Sequence, residues 1–310
     1  MILHFWGAGI PLSAWEDKRA ALESALNVFI LKIKAGKDRR RVDVYAVPAT
    51  YGLPDMIPWD DKYLVDDDFT LVLGESLIGV MTVQLAVVPH MLIGGSTGSG
   101  KTVLIKLLAK QCIEKGASVY IIDPKKVDFS SFGNMENCRL LNSGDLAEVE
   151  KLLLELLNEC KARQAEFARQ HGITDIQMNN TYVRNIYRRI IIVIDELAEI
   201  LDKKRFPKSQ HARIDNIIGY LSTIACMGRA FGIHLILGTQ RPDATVVPGQ
   251  IKDNISFKCC GRAENILSQI ILDDARASEL IPADAQGLFV CNDPDKTVFR
   301  AYYLDNKHQR

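Results

Sequence analysis

No apolar run in this chain approaches the roughly 18 residues that a membrane-spanning helix requires. The strongest, Ile190 to Ile194, is one short strand's worth. The N-terminus lacks the charged, apolar and small-residue segments of a signal peptide, so the expectation is a soluble, cytoplasmic chain. Disulfides and structural zinc are disfavoured too. The seven cysteines are odd in number, include no C-x-x-C pair, and fall mostly in apolar segments such as Ile255 to Cys260, as reduced buried thiols do. The six histidines show neither H-x-x-x-H nor H-E-x-x-H spacing, and no Ser/His/Asp constellation stands out. Net charge is also missing, since 38 basic residues balance 38 acidic ones. Any contact with nucleic acid must therefore come from a local patch and not from a globally basic surface.

What the chain does have is 310 residues at 47% hydrophobic content, enough for one large domain or a large one with a small one. Its most informative stretch is Gly95-Ser96-Thr97-Gly98-Ser99-Gly100-Lys101-Thr102. This spells G-x-x-x-x-G-K-T between an apolar run and a helix-forming segment, the context a phosphate-binding P-loop needs. The glycines let the backbone curl so that successive N–H groups face the α- and β-phosphates, and the following helix adds its positive end. Lys101 can reach the β/γ-phosphates, and the Thr102 hydroxyl is placed to ligate Mg²⁺.

A second signal lies about 95 residues downstream. The run Ile190 to Ile194 reads as a buried strand, and it ends in two acids, Asp195 and Glu196. In this Walker-B pattern the first carboxylate holds the Mg²⁺ shell and the second orients and polarises the attacking water. The strand His234 to Leu237 ends at Gly238-Thr239-Gln240-Arg241-Pro242, putting the Gln240 amide where a γ-phosphate sensor would sit. Val119 to Ile122 reads as a further buried parallel strand, closed by Asp123-Pro124-Lys125 at the end where open α/β sheets bind ligands.

The remaining pattern supplies a frame. Residues 1–66 read as a small α+β domain. Ser13 and Glu16 form a capping-box pattern, and Trp15, Leu22, Leu26, Phe29, Ile30 and Ile33 predict one amphipathic helix ending at Gly36. Val42 to Val47 then alternates as a strand. Residues 67–310 alternate strands and helices as an α/β domain with a mostly parallel sheet. Asp145 and Glu148 open a long helix whose charged second half, Asn158 to Gln170, is expected to project beyond the core. Two basic stretches can be read as solvated surface or as phosphate contacts: Lys37 to Arg41, and the loop containing Lys203, Lys204, Arg205, Lys208, His211 and Arg213.

Five blocks in fixed order resemble the motor domain of the FtsK/SpoIIIE family. They are Pro89 to Thr102, Tyr120-Ile121-Ile122-Asp123-Pro124-Lys125, Ile194-Asp195-Glu196-Leu197-Ala198, Gly228-Arg229-Ala230-Phe231-Gly232-Ile233-His234, and Thr239-Gln240-Arg241-Pro242. The part before them resembles the small domain preceding that motor in the branch found on Gram-positive chromosomes and conjugative elements. The resemblance implies a RecA-like ASCE ATPase that uses ATP and Mg²⁺, assembles as a homohexameric ring and moves double-stranded DNA. It further implies that Lys101 and Thr102 bind phosphate and Mg²⁺, that Asp195 holds Mg²⁺, that Glu196 is the catalytic base and Gln240 the sensor. A trans-acting arginine is also implied, with Arg229 the first candidate and Arg262 the second. Val246 to Ile255, including Lys252, resembles a DNA-contacting loop near the channel.

Family members commonly carry N-terminal transmembrane helices, and some carry a C-terminal winged-helix domain; neither is found between Met1 and Arg310. The expectation is an excised motor or a soluble variant, with a membrane-anchored or conjugation partner where an anchor is needed. Two other readings stand beside the DNA motor. One is a type VII secretion ATPase moving polypeptide, and the other a nucleotide-dependent switch without productive turnover.

Overall fold

A computed structural model describes the chain except residues 39, 143, 171, 183–185, 242, 244–246 and 306–310. The chain opens with β1 (Ile2–Trp6), α1 (Leu12–Asp17), α2 (Arg19–Leu26), β2 (Val28–Ala35) and β3 (Arg41–Pro48). The strands form an antiparallel sheet in the order β1-β3-β2. Val28, Ile30, Ile33, Val42, Val44 and Ala46 make its core, with Trp15 and Leu22 of the helices packed against them. The single helix expected from Ser13 to Gly36 is not formed. Helix α2 stops where Asn27 turns left-handed at φ 51°, and the chain continues as β2. Apolar residues at 22, 26, 30 and 33 satisfy helical spacing, but Val28, Phe29, Ile30 and Ile33 are β-branched or aromatic and gain a ladder against β3. The capping box is absent as well, because the N-cap of α1 is Pro11, which makes no side-chain bond.

The large sheet takes the rest: β4 (Ile57–Pro58), β5 (Thr70–Ser76), β6 (Gly79–Gln84), β7 (His90–Gly94), α3 (Lys101–Glu114), β8 (Ser118–Ile122), β9 (Cys138–Leu141), α4 (Leu146–Phe167), α5 (Ile176–Tyr182), β10 (Ile190–Ile194), α6 (Ala198–Leu201), α7 (His211–Phe231), β11 (Ile233–Thr239), α8 (Gly249–Lys252), β12 (Phe257–Cys260), α9 (Asn265–Leu272), α10 (Arg276–Leu280), β13 (Leu288–Cys291) and β14 (Val298–Tyr303). Its order is β6-β5-β14-β13-β12-β7-β11-β10-β8-β9, with β4 added beside β14. From β12 to β9 neighbours run parallel, and from β12 to β6 they run antiparallel.

Both faces of the parallel half are covered, which explains its unbroken apolar strands. In β10, Ile190, Ile192 and Ile194 join one core with α4 and α7, while Ile191 and Val193 join the other with α3. Asp145 caps α4 as expected, accepting from Ala147 N at 2.9 Å. The second half of α4 does not project: Cys160, Arg163 and Phe167 are buried, and Arg163 donates to the Phe231 carbonyl at 2.9 Å. The charges there flank a buried stripe. Ile57 and Trp59 also belong to the large core, where Trp59 N donates to Tyr303 O at 2.9 Å. We therefore propose the division between the two units between residues 49 and 56, earlier than the expected 66.

Candidate nucleotide site

The P-loop joins buried β7 to α3. Gly95, Gly98 and Gly100 take φ of 154°, 78° and 95°. Gly100 is the critical one: it is the N-cap of α3, and a Cβ there would lie 2.9 Å from Gly287 N. Neighbouring backbone extends the β7–β12 ladder into the loop, with Gly261 N donating to Gly94 O at 2.9 Å and Ser96 N to Arg262 O at 2.7 Å. Gly287 N donates to Ser99 O at 2.8 Å. The loop is thus braced on its outer side.

Strand order brings the second motif alongside. β11 separates β7 from β10, so Asp195 emerges on the same sheet edge, two strands from the loop. Lys101 Nζ meets Asp195 Oδ1 at 2.7 Å and also donates to the Asp195 carbonyl oxygen. The two side chains are 2% and 4% exposed, so the charges compensate each other out of water. Thr102 Oγ1 donates to both Asp195 carboxylate oxygens, at 2.9 and 3.1 Å. Contact this close requires Gly238 in β11, whose Cβ would stand 2.2 Å from Asp195 O.

Glu196 is also buried, at 3% exposure. Burial raises its pKa above the usual carboxylate value, against the opposing pull of Lys101 and three hydrogen bonds. Those bonds come from Thr239 Oγ1 at 3.0 Å, Gln240 N at 2.9 Å and Ala198 N at 3.3 Å. A fixed carboxylate with a raised pKa is a better proton acceptor near neutrality than a free one. The Gln240 side chain reaches the P-loop, its Oε1 accepting from Thr97 Oγ1 at 3.0 Å. On the far side of Thr97, its carbonyl accepts from Arg262 Nη2 at 2.6 Å. Arg262, Thr97, Gln240 and Glu196 form one connected chain of hydrogen bonds.

The structure therefore gathers Gly95 to Thr102, Asp195, Glu196, Gln240 and Arg262 on one edge. Arg229 is elsewhere. It ends α7 where the chain enters β11, and its Nε donates to Ala86 O at 3.0 Å. The seven residues of β11 put about 20 Å between it and this edge. Thr239 was not singled out from the sequence; its only signal was its place in the Thr239-Gln240-Arg241-Pro242 block. Asp123 serves its own loop, accepting from Lys125 N and Lys126 N, each at 3.2 Å.

The basic loop is largely neutralised. Lys203 meets Asp215 at 2.6 Å, Lys204 meets Asp243 at 3.0 Å, Arg205 pairs with Glu199, and Arg213 meets Glu150 at 3.4 Å. In the segment from 246 to 255, residue 246 lies outside the described residues, as does Pro242 of the sensor block. Lys252 is held by Asp273 at 2.6 Å. Among the described residues, no helix is long and apolar enough to cross a membrane.

The profile of the FtsK/SpoIIIE family matches residues 63–244. A DNA translocase FtsK of Chlamydia muridarum is 30% identical over 288 residues, covering 80% of this chain and 35% of that protein. One from Caldanaerobacter subterraneus is 31% identical over 221 residues, covering 69% and 30%. This chain thus spans about a third of the length of the curated relatives it matches. Among solved structures, the pCW3 conjugation coupling protein TcpA, in a monomer form with ATPgS, superposes with TM-score 0.78 and 33% identity, covering 99% of this chain and 86% of that one. The cytoplasmic domain of the Thermomonospora curvata type VII secretion ATPase EccC shares the fold, with TM-score 0.65 at 19% identity and coverage of 80% and 30%.

Proposed function

The chain belongs to the FtsK/SpoIIIE family, and we infer that it is an ATP-hydrolysing motor that moves double-stranded DNA. The observation that carries this reading is the buried contact of Lys101 and Thr102 with Asp195, with Glu196 held one residue further on. A nucleotide fits the loop's chemistry, because positive-φ glycines turn backbone donors inward, and the buried Ser99 hydroxyl has no hydrogen-bond partner among the described residues. Mg²⁺ fits the pairing of a hydroxyl with a carboxylate, since it is usually held by one or two such protein ligands together with phosphate oxygens. When bound, the cation would neutralise phosphate charge.

In this reading Lys101 would exchange Asp195 for the phosphates, and Thr102 and Asp195 would hold the cation. Glu196 takes a proton from the attacking water, and Gln240 leaves Thr97 to sense the γ-phosphate. Arg229, too far from its own site, would serve a neighbouring subunit of a homohexameric ring. The DNA substrate and the association with a membrane-anchored or conjugation partner on the cytoplasmic side rest on family membership and on the relatives' names.

The test is steady-state ATP hydrolysis with and without long double-stranded DNA across a salt series. Stimulation that fades as salt rises is expected, because phosphate contacts weaken steeply with salt. An unchanged rate in protein shown to form rings would point to a polypeptide substrate. Absence of hydrolysis would point to a switch.

A further inference from the structure

The outer face of the small sheet is not used by the motor reading, and its composition is unusual. Strand alternation sends Val42, Val44 and Ala46 inward under α1 and α2. The opposite face carries Trp6 and Phe29, which remain 61% and 40% exposed, together with Tyr45 between them. Trp6 stands directly across from Arg41, Phe29 across from Val47, and the rise from 41 to 47 spans about 20 Å.

Cations are interleaved with these rings. Lys34 Nζ lies 5.2 Å from the Tyr45 ring centroid. Gly7 N donates to Arg40 O at 2.6 Å, which locks the end of β1 against the β2–β3 hairpin, and Arg41 stands across from Trp6. Arg41 has a partly exposed partner in Asp38 at 3.3 Å. Lys34, Lys37 and Arg40 form no ion pair among the described residues, within the 4.0 Å that defines one. Asp43 shares this face, opposite Lys34 and 2.7 Å from His4 Nδ1, so Asp38 and Asp43 offset part of the charge. The remaining cationic surplus at the hairpin end beside exposed rings suits an anionic partner with flat apolar faces.

We propose that this sheet face is a docking platform for single-stranded nucleic acid. Bases stack on Trp6 and Phe29, and Lys34 and Arg41 meet the phosphates. Stacking on side chains is open to unpaired bases, whereas a duplex keeps its bases stacked on one another and offers this face phosphates alone. The 20 Å between the rings suits a short run of extended nucleotides. The platform is separate from the P-loop and would give the motor a second, nucleotide-independent hold on DNA with a free or unwound strand.

The experiment is fluorescence anisotropy of a labelled oligothymidylate, about 20 nucleotides long, with the whole chain and no ATP. Trp6→Ala should weaken binding about tenfold, the loss of one stacked base, and Trp6→Phe should restore most of it. Lys34→Glu with Arg41→Glu should weaken binding and flatten its salt dependence. Lys101→Ala should bind the oligonucleotide like wild type, and Trp6→Ala should keep DNA-stimulated hydrolysis, so failure here is distinct from failure of the motor reading. Because Trp6 and Lys34 are exposed, unchanged thermal melting is expected to show that the sheet-face variants fold, whereas Lys101→Ala is compared below its own melting transition. No binding by wild type, equal binding by Trp6→Ala, or an equal loss on Trp6→Ala for a duplex of the same length would each overturn the proposal.

Discussion

The Arg262 guanidinium holds the tip of the P-loop of its own chain: Nη2 donates to Thr97 O at 2.6 Å and Nη1 to Ala283 O at 3.0 Å. A side chain engaged this way steadies the loop of its own chain. Arg262→Ala should therefore weaken nucleotide affinity in isolated subunits, raising KM about tenfold with a smaller change in kcat. A kcat loss with unchanged affinity would assign it to the neighbour's site instead.

Arg229 carries the opposite expectation. Mixing Arg229→Ala with Glu196→Gln subunits should partly restore hydrolysis, since a mixed interface can combine one intact Glu196 with one intact arginine. No rescue at any ratio would count against a shared site.

Lys101→Ala should abolish nucleotide binding and also destabilise the nucleotide-free protein. It leaves the Asp195 carboxylate buried without its cation, and breaking such a pair costs about 3–5 kcal/mol. Adding Asp195→Asn should recover much of that loss in denaturant titrations. Additive losses in the double variant would show that the pair is not the cause.

Glu196→Gln should retain nucleotide binding and lose turnover. The pH dependence follows from the raised pKa of Glu196. A group whose folded pKa is raised adds stability that is fully present below its unfolded value, near 4.5, and lost as pH rises through the folded value. Relative to wild type, Glu196→Gln should therefore become more stable as pH rises above about 4.5. The acid limb of kcat should lie above that same value. A stability difference that does not vary with pH would remove burial as the cause.

Gly238→Ala should be among the most damaging single-methyl changes, because its Cβ would meet the Asp195 carbonyl at 2.2 Å. Overpacking against backbone typically costs about 1–3 kcal/mol or more. The measurement is a chemical melt together with ATP affinity, and an unaffected variant would mean that β11 and β10 can separate freely here.

How much of this was legible beforehand depends on the range of the interaction. Lys101, Thr102, Asp195 and Glu196 were readable because a P-loop and a strand ending in acids are local patterns, each dictated by one strand and its next few residues. The helix expected through Phe29 and Ile33 failed for the complementary reason. Its apolar spacing suits a helix or a half-buried strand, and only pairing with β3, more than ten residues away, decides between them. Arg229 ranked ahead of Arg262 in sequence, yet only the structure shows that they sit at opposite ends of the parallel sheet. Likewise, the charges on the 203–213 loop could not be read as quenched until Asp215, Asp243, Glu199 and Glu150 were in place.

By itself, the sequence determined the α/β class, the phosphate-binding loop, the paired acids and the order of the family's blocks, because each depends on short-range backbone geometry and alternation. Tertiary structure alone decided that β11 lies between the two motifs and brings Lys101 onto Asp195, that Arg262 clasps Thr97 while Arg229 faces away, and that Trp6 and Phe29 share an open face with Lys34 and Arg41. Those outcomes depend on strand order and register, which arise from packing between distant segments.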